Sequence, residues 1–201
     1  MDPSIIRNGR PYGGCIILWT SGIKYKVEPI ETISSRLVCV KVHINDDNHI
    51  LLFNVYMPYD DRKVGDNLHM YQDILAEISV TAQHNNSQFI IVGGDFNTDL
   101  RRTTPQTKEL KQFCNNENFT SCVDLQCSKV EYTFECMASR SRSLIDHILV
   151  TNNLCDHVSQ YFTVDTLDNM SDHICVMSEF DIKCEYLPSV DKAHKPRGSM
   201  V

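Results

Sequence analysis

The chain has 201 residues, 42% hydrophobic and 22% charged, the composition of one soluble domain large enough to bury its own core. Lys+Arg 19 against Asp+Glu 26 give a formal charge of -7, which excludes a broadly basic nucleic-acid binder and leaves only a local basic patch for such contact. The apolar run Cys15–Trp19 is too short for a bilayer, residues 1–10 lack the apolar core of a secretory signal, and the nine scattered cysteines include no C-x-x-C pair, so an intracellular, reducing compartment (nuclear or cytoplasmic) is expected.

In chain order, the first predicted strand is Gly14–Thr20, with no element ahead of it to shield its edge. Apolar, β-branched runs predict two more strands at Leu37–Ile44 and Ile50–Met57. Leu68, Tyr71, Leu75, Ile78 and Ala82 then recur at three- and four-residue spacing, the mark of one helix face. Gln88–Val92 is the next strand, followed by a helix over about Pro105–Asn116 that opens on Thr104 as N-cap and proline in the first turn. Leu144–Thr151, His157–Val164 and His173–Ile182 complete the strands. Strands outnumber helices and are not each followed by one, so the pattern predicts an α+β or mixed-sheet fold with two layers of sheet. One domain is expected over 1–183, with 184–201, which carries Pro188 and Pro196 among polar residues, as a linker or frayed end.

Four segments place polar groups on apolar supports. Phe89-Ile-Ile-Val-Gly-Gly-Asp95-Phe-Asn97 reads as a buried strand with Asp95 and Asn97 presented where it ends, although an Asp/Gly turn accounts for it equally well. In Leu144-Ile-Asp146-His147-Ile-Leu-Val150 both alternating faces are apolar, so Asp146 is expected inside, where a carboxylate needs a cation or several donors. His147 reads more simply as a satisfied core histidine. Ser171-Asp172-His173 stands at the mouth of a strand, either as a polar turn or as a base beside a carboxylate able to hold a hard cation. Asn54-Val-Tyr56-Met-Pro58 ends a strand and leaves Tyr56 near its end. Together these supply a base, a group to orient it, donors for phosphoryl oxygens and a carboxylate for a cation, the inventory for hydrolysing a phosphate ester.

At these residues the chain resembles the endonuclease/exonuclease/phosphatase superfamily of four-layered α/β sandwiches, here lacking its first strands. Gly9-Arg-Pro-Tyr-Gly-Gly-Cys-Ile-Ile-Leu18 and Glu131-Tyr-Thr133-Phe, set ahead of Ser143-Leu-Ile-Asp146, look like the endonuclease domain of LINE-type non-LTR retrotransposons. The resemblance implies a Mg²⁺-dependent endonuclease, with Mn²⁺ as the alternative cation and DNA as the ancestral substrate. It implies that His173 activates water, that Asp146 orients His173, and that Asp95 handles the proton of nucleophile or leaving group. Asn97 and Tyr56 would hold phosphate oxygens, Asp172 the metal, and Thr133 and Ser171 would lie near the substrate groove. Arg140 and Arg142 are the candidates for the phosphate backbone, whereas Lys108 and Lys111 read as solvated helix charges beside Arg101 and Arg102.

In that family an Asn and a metal-binding Glu precede the segment that begins here near Gly13. No glutamate precedes Glu28, and Asn8 sits in a polar turn. Activity of the chain as written is therefore expected to be weak or nil. The alternatives are a non-catalytic remnant or interaction module of the same fold and a phosphatase or phospholipid phosphodiesterase of the superfamily. The resemblance also implies a downstream reverse transcriptase domain as a partner in a full-length element.

Overall fold

The computed structural model describes residues 14–45, 48–61, 65–166 and 168–182. The first strands are β1 (Val27–Ile30), β2 (Leu37–His43) and β3 (His49–Tyr56). Helix α1 (Asp66–His84) leads to β4 (Phe89–Asp95), and helix α2 (Pro105–Asn116) to β5 (Phe119–Ser121). There follow β6 (Phe134–Cys136), β7 (Ser141–Ser143), β8 (Asp146–Thr151), β9 (Val158–Val164) and β10 (Cys175–Phe180).

Six strands form one mixed sheet in the order β1-β2-β3-β4-β8-β5. β1, β2 and β3 are an antiparallel meander, α1 makes β3 and β4 parallel neighbours, and β8 runs antiparallel to both β4 and β5. β9 and β10 form a separate antiparallel ribbon, and β6 and β7 a short hairpin.

Side chains alternate along a strand, so the large sheet has two distinct faces. Leu51, Phe53, Val55, Ile90, Val92 and Leu149 pack beneath Tyr71, Ile74 and Ile78 of α1 and Leu110 and Phe113 of α2. Ile50, Ile91 and Val150 point the other way and pack with Leu144, Val158 and Tyr161 on the side of the ribbon. The described residues thus supply three layers: helices, large sheet and ribbon. By alternation Tyr56, Asp95 and Asp146 belong to the ribbon-side face.

Local chemistry fixes the ends of these elements. Thr104 caps α2, its Oγ1 accepting the Thr107 N–H at 3.1 Å, with Pro105 in the first turn. Gly94 has φ +142°, and a Cβ there would overlap the Val55 carbonyl oxygen and sit 2.8 Å from Val55 N. Only glycine lets β4 continue past Val92 to deliver Asp95 beside β3.

The structure corrects the sequence reading in several places. Gly14–Thr20 is not a strand: it has no ladder partner among the described residues, and Ile16, Leu18 and Trp19 are exposed. It is tethered instead by the Asn54 amide on the Ile16 carbonyl at 3.0 Å and the Cys15 thiol on the Arg36 carbonyl. Apolar residues favour a strand, but ladder hydrogen bonds with a neighbour are what make one. β8 begins at Asp146 rather than Leu144, because the N–H groups of Leu144 and Ile145 donate to Asp99 Oδ2 and Thr133 Oγ1. Ile74 and Thr81 complete the buried stripe of α1, whereas Leu68 and Ala82 are half-buried. β1, β5, β6 and β7 carry no periodic signal in the sequence, being only three or four residues long. Asn8, the Gly9–Gly13 part of the retrotransposon-like segment and the 184–201 tail lie outside the described residues.

Candidate active site

Strand register assembles the site. Tyr56 of β3 pairs with Asp95 of β4, and Asp95 with Asp146 of β8. Paired residues face the same way, so three adjacent strands present these side chains in a row at one end of the ribbon-side face, about 5 Å apart per strand. His173 arrives from the other layer, on the segment that enters β10.

The His173 ring meets that row. Its Nδ1 lies 3.0 and 3.1 Å from the two carboxylate oxygens of Asp146. A nitrogen facing a carboxylate carries the proton, which leaves Nε2 with its lone pair directed elsewhere. The hydrogen bond to Asp146 lifts the imidazole pKa above its ordinary value, and partial burial opposes this. Asp95 is pushed up to about 6, first by burial and then by the neighbouring Asp146 charge, against the pull of the Asn97 N–H. Asp95, Asp146 and His173 each offer a ligand atom within 4.8 Å of the others. They open on a cleft of about 830 Å³ whose wall includes Leu52, Asn54 and Val176.

The hairpin β6–β7 locks this geometry through Thr133, the residue that leads into it. The Thr133 hydroxyl accepts the N–H groups of Ile145 and Asp146 at 3.1 and 3.0 Å, while its carbonyl accepts the Ile174 N–H at 2.7 Å. One residue therefore ties the Asp146 strand to the His173 segment. Phe134 adds a bridge to His173 and an edge-on ring contact at 5.0 Å between centroids. Thr133, expected near the substrate groove, is wholly buried and acts on the backbone that carries Asp146. Ser171 is exposed and its hydroxyl accepts the His173 N–H at 3.0 Å, fixing the entry to that segment.

Other expected residues stand as follows. Asn97, at φ +48°, donates its N–H to Asp95 Oδ1 at 2.8 Å and its amide to Asp95 Oδ2 at 3.2 Å and the Met57 carbonyl at 2.9 Å. As placed, its donors orient Asp95 rather than face a phosphate. Asp172 is exposed and lies outside the three-residue group. Arg140 is exposed at the hairpin turn with φ +53°, and Arg142 lies 4.1 Å over the Tyr132 ring and 3.2 Å from Glu135. His147 points to the helix side, its Nε2 2.8 Å from the Thr98 carbonyl and its Nδ1 unpartnered among the protein atoms described.

Asp99 is not among the residues expected from sequence. Buried at 8% exposure, it pairs with Arg101 and Arg102 and accepts the Leu144 N–H, anchoring the approach to β8. Its signal is the Asp99-Leu-Arg-Arg spacing, which puts a carboxylate within reach of two guanidinium groups.

Two carboxylates and an imidazole this close are donors that a divalent cation accepts. Asp146 faces the His173 ring and Asp95 accepts from Asn97, and each carboxylate keeps lone pairs for a cation. The donor set fits such an ion, with Asp95 and Asp146 as its carboxylates.

A protein-family model described as endonuclease-reverse transcriptase matches residues 50–177, more than half of the chain. The chain belongs to the endonuclease-reverse transcriptase family. Every strand-end residue named above falls within the matched span. No curated protein matches the chain. Among solved structures, the endonuclease domain of TRAS1, a telomere-specific non-LTR retrotransposon, is similar at TM-score 0.64 and 15% identity, covering 80% of this chain and 70% of that one. The AP endonuclease LMAP from Leishmania major follows at 0.60 and 16%, covering 81% and 63%. An endonuclease/exonuclease/phosphatase family protein from Leptotrichia buccalis C-1013-b gives 0.51 and 15%, with 73% of this chain covered. The chain spans 53% of that bacterial protein's length. At such identities the likeness is one of fold: this family member has the endonuclease/exonuclease/phosphatase fold.

Proposed function

We propose that the chain is a divalent-metal-dependent phosphodiester hydrolase of retrotransposon origin, with DNA as substrate and Mg²⁺ or Mn²⁺ as its cation. The observation that carries this reading is the His173–Asp146 pair at 3.0 Å with Asp95 beside it. His173 Nε2 takes a proton from water as the water oxygen attacks phosphorus in line. The imidazolium so formed is stabilised by the Asp146 carboxylate at Nδ1. Asp95, paired with Asp146 in the row, is assigned to give a proton to the leaving oxygen as its bond to phosphorus breaks. Tyr56, beside Asp95 in the row, is assigned to a phosphate oxygen. A bound cation supplies positive charge to the phosphoryl oxygens.

Turnover is proposed to be slow. Asp95 and Asp146 are already engaged, by Asn97 and by His173, so a cation would share carboxylates that also serve the proton steps. Asp172 and the exposed Ser171 are assigned to the rim, and Arg140 and Arg142 to the DNA backbone. The proposal extends to a reverse transcriptase segment in the full-length element and to a reducing intracellular compartment, in keeping with eight free thiols among the described residues.

Relaxation of supercoiled plasmid by the purified chain tests the reading. Slow nicking that needs Mg²⁺ or Mn²⁺ and stops on chelation is expected. No nicking with either ion would make the chain a non-catalytic module, and faster release of phosphate from a monoester than cutting of DNA would favour a phosphatase.

A further inference from the structure

The row of strand ends continues one strand beyond Tyr56. Leu37 of β2 pairs with Val55 of β3, so Arg36 stands next to Tyr56 on the ribbon-side face. The Tyr56 N–H donates to the Arg36 carbonyl at 2.9 Å. The Arg36 side chain returns the contact: Nη1 donates to the Tyr56 carbonyl at 3.1 Å, and the guanidinium carbon lies 4.8 Å from the centre of the Tyr56 ring. Backbone, carbonyl and ring of Tyr56 are all gripped by this one residue.

A tyrosine at a strand end has two free torsions, and they decide where its hydroxyl points. A planar cation over the ring favours one orientation, and its fork can bond the carbonyl at the same time. Lysine offers a point charge without the planar fork that spans ring and carbonyl together. Arg36 is half-buried, and neither the motif at Tyr56–Pro58 nor local composition singles it out.

We propose that Arg36 is a positioning residue of the site, holding the Tyr56 ring so that its hydroxyl meets the phosphate. The inference rests on the proposed role of Tyr56 in phosphodiester hydrolysis. Arg36 acts through the ring and does not itself touch the reacting atoms.

A double-mutant cycle of Arg36→Gln and Tyr56→Phe, read as kcat and KM for Mg²⁺-dependent nicking together with the urea midpoint, tests it. Arg36→Gln is expected to lower kcat about tenfold with KM changed less than about twofold, an effect of positioning rather than of binding. In the Tyr56→Phe background the same change should cost less than about twofold, because the hydroxyl it serves is gone. Arg36→Lys should not restore the rate. Penalties that multiply, full rescue by lysine, or a rate loss that follows the urea midpoint would overturn the inference and leave the hydrolase reading intact. A normal rate in Tyr56→Phe would instead remove Tyr56 from the reaction, and Arg36 with it.

Where nicking is too slow to time, ¹³C-tyrosine NMR with added inorganic phosphate reads the same coupling. Phosphate should shift the Tyr56 ring signal in the wild type and much less in Arg36→Gln. Equal shifts in both contradict the role of Arg36, and no shift in the wild type contradicts that of Tyr56.

Discussion

Two histidines on either side of β8 are shifted in opposite directions by their surroundings. Asp146 raises the pKa of His173, so that residue stabilises the fold fully below its unfolded value, near 6.5, and loses the effect as pH rises through its folded value. Burial lowers the pKa of His147, whose ring lies edge-on to Phe96 at 5.6 Å and bonds the Thr98 carbonyl. The unfolded chain then binds the proton more readily, so His147 stabilises above its unfolded value and the effect is lost as pH falls towards the folded one. His147→Asn keeps a donor for Thr98 and does not titrate. Between about pH 7.5 and 5 its urea midpoint should fall less than that of the wild type, after allowing for a common offset. Parallel pH profiles would contradict this account of His147. The sequence places His147 in the core correctly from alternation alone, but its unpartnered Nδ1 depends on what the opposite layer brings and cannot be read from the chain.

At the scale of elements, the site depends on strand ends that stop at one level and on a hairpin that ties two of them together. Gly94→Ala would force a Cβ into the β3 backbone at a φ that only glycine adopts easily, and a loss of at least about 3 kcal/mol in urea unfolding is expected. Thr133→Val keeps the shape and removes the acceptor of two N–H groups, at a cost of about 1–3 kcal/mol for each group left buried without a partner. Thr133→Ser should recover most of the stability and rate. Full stability in Thr133→Val would show that the hydroxyl does not hold Asp146. The motifs around Asp95, Asp146 and His173 are legible because each joins an apolar run to a polar end. Thr133 is not legible in the same way: the strand it leads into has three residues, and its hydroxyl serves residues more than ten positions away. Gly14–Thr20 fails for the opposite reason, as its composition suits a strand while no described neighbour completes a ladder with it.

At the scale of the molecule, a chain of net charge -7 must approach a polyanion through a local patch. The exposed Arg140 and the Arg142–Tyr132 stack lie on the hairpin next to His173. Changing Arg140 and Arg142 to Ala should reduce the slope of log affinity against log salt for duplex DNA by about 1 for every phosphate that the protein no longer neutralises. Because Glu135 already faces Arg142 at 3.2 Å, Arg140 should account for the larger share. An unchanged slope would take both out of the interface. The overall fold was legible from strand order and from four motifs that share it, and the family match spans all four. The layer assignment of each motif became visible only through register, which pairs Tyr56 with Asp95 and Asp95 with Asp146. The most direct test of the central claim is nicking by His173→Gly with and without added imidazole, beside Asp146→Asn. The account predicts that both variants lose about 10²–10⁴ in rate and that imidazole restores part of the His173→Gly activity. Nicking at the wild-type rate in His173→Gly would contradict it.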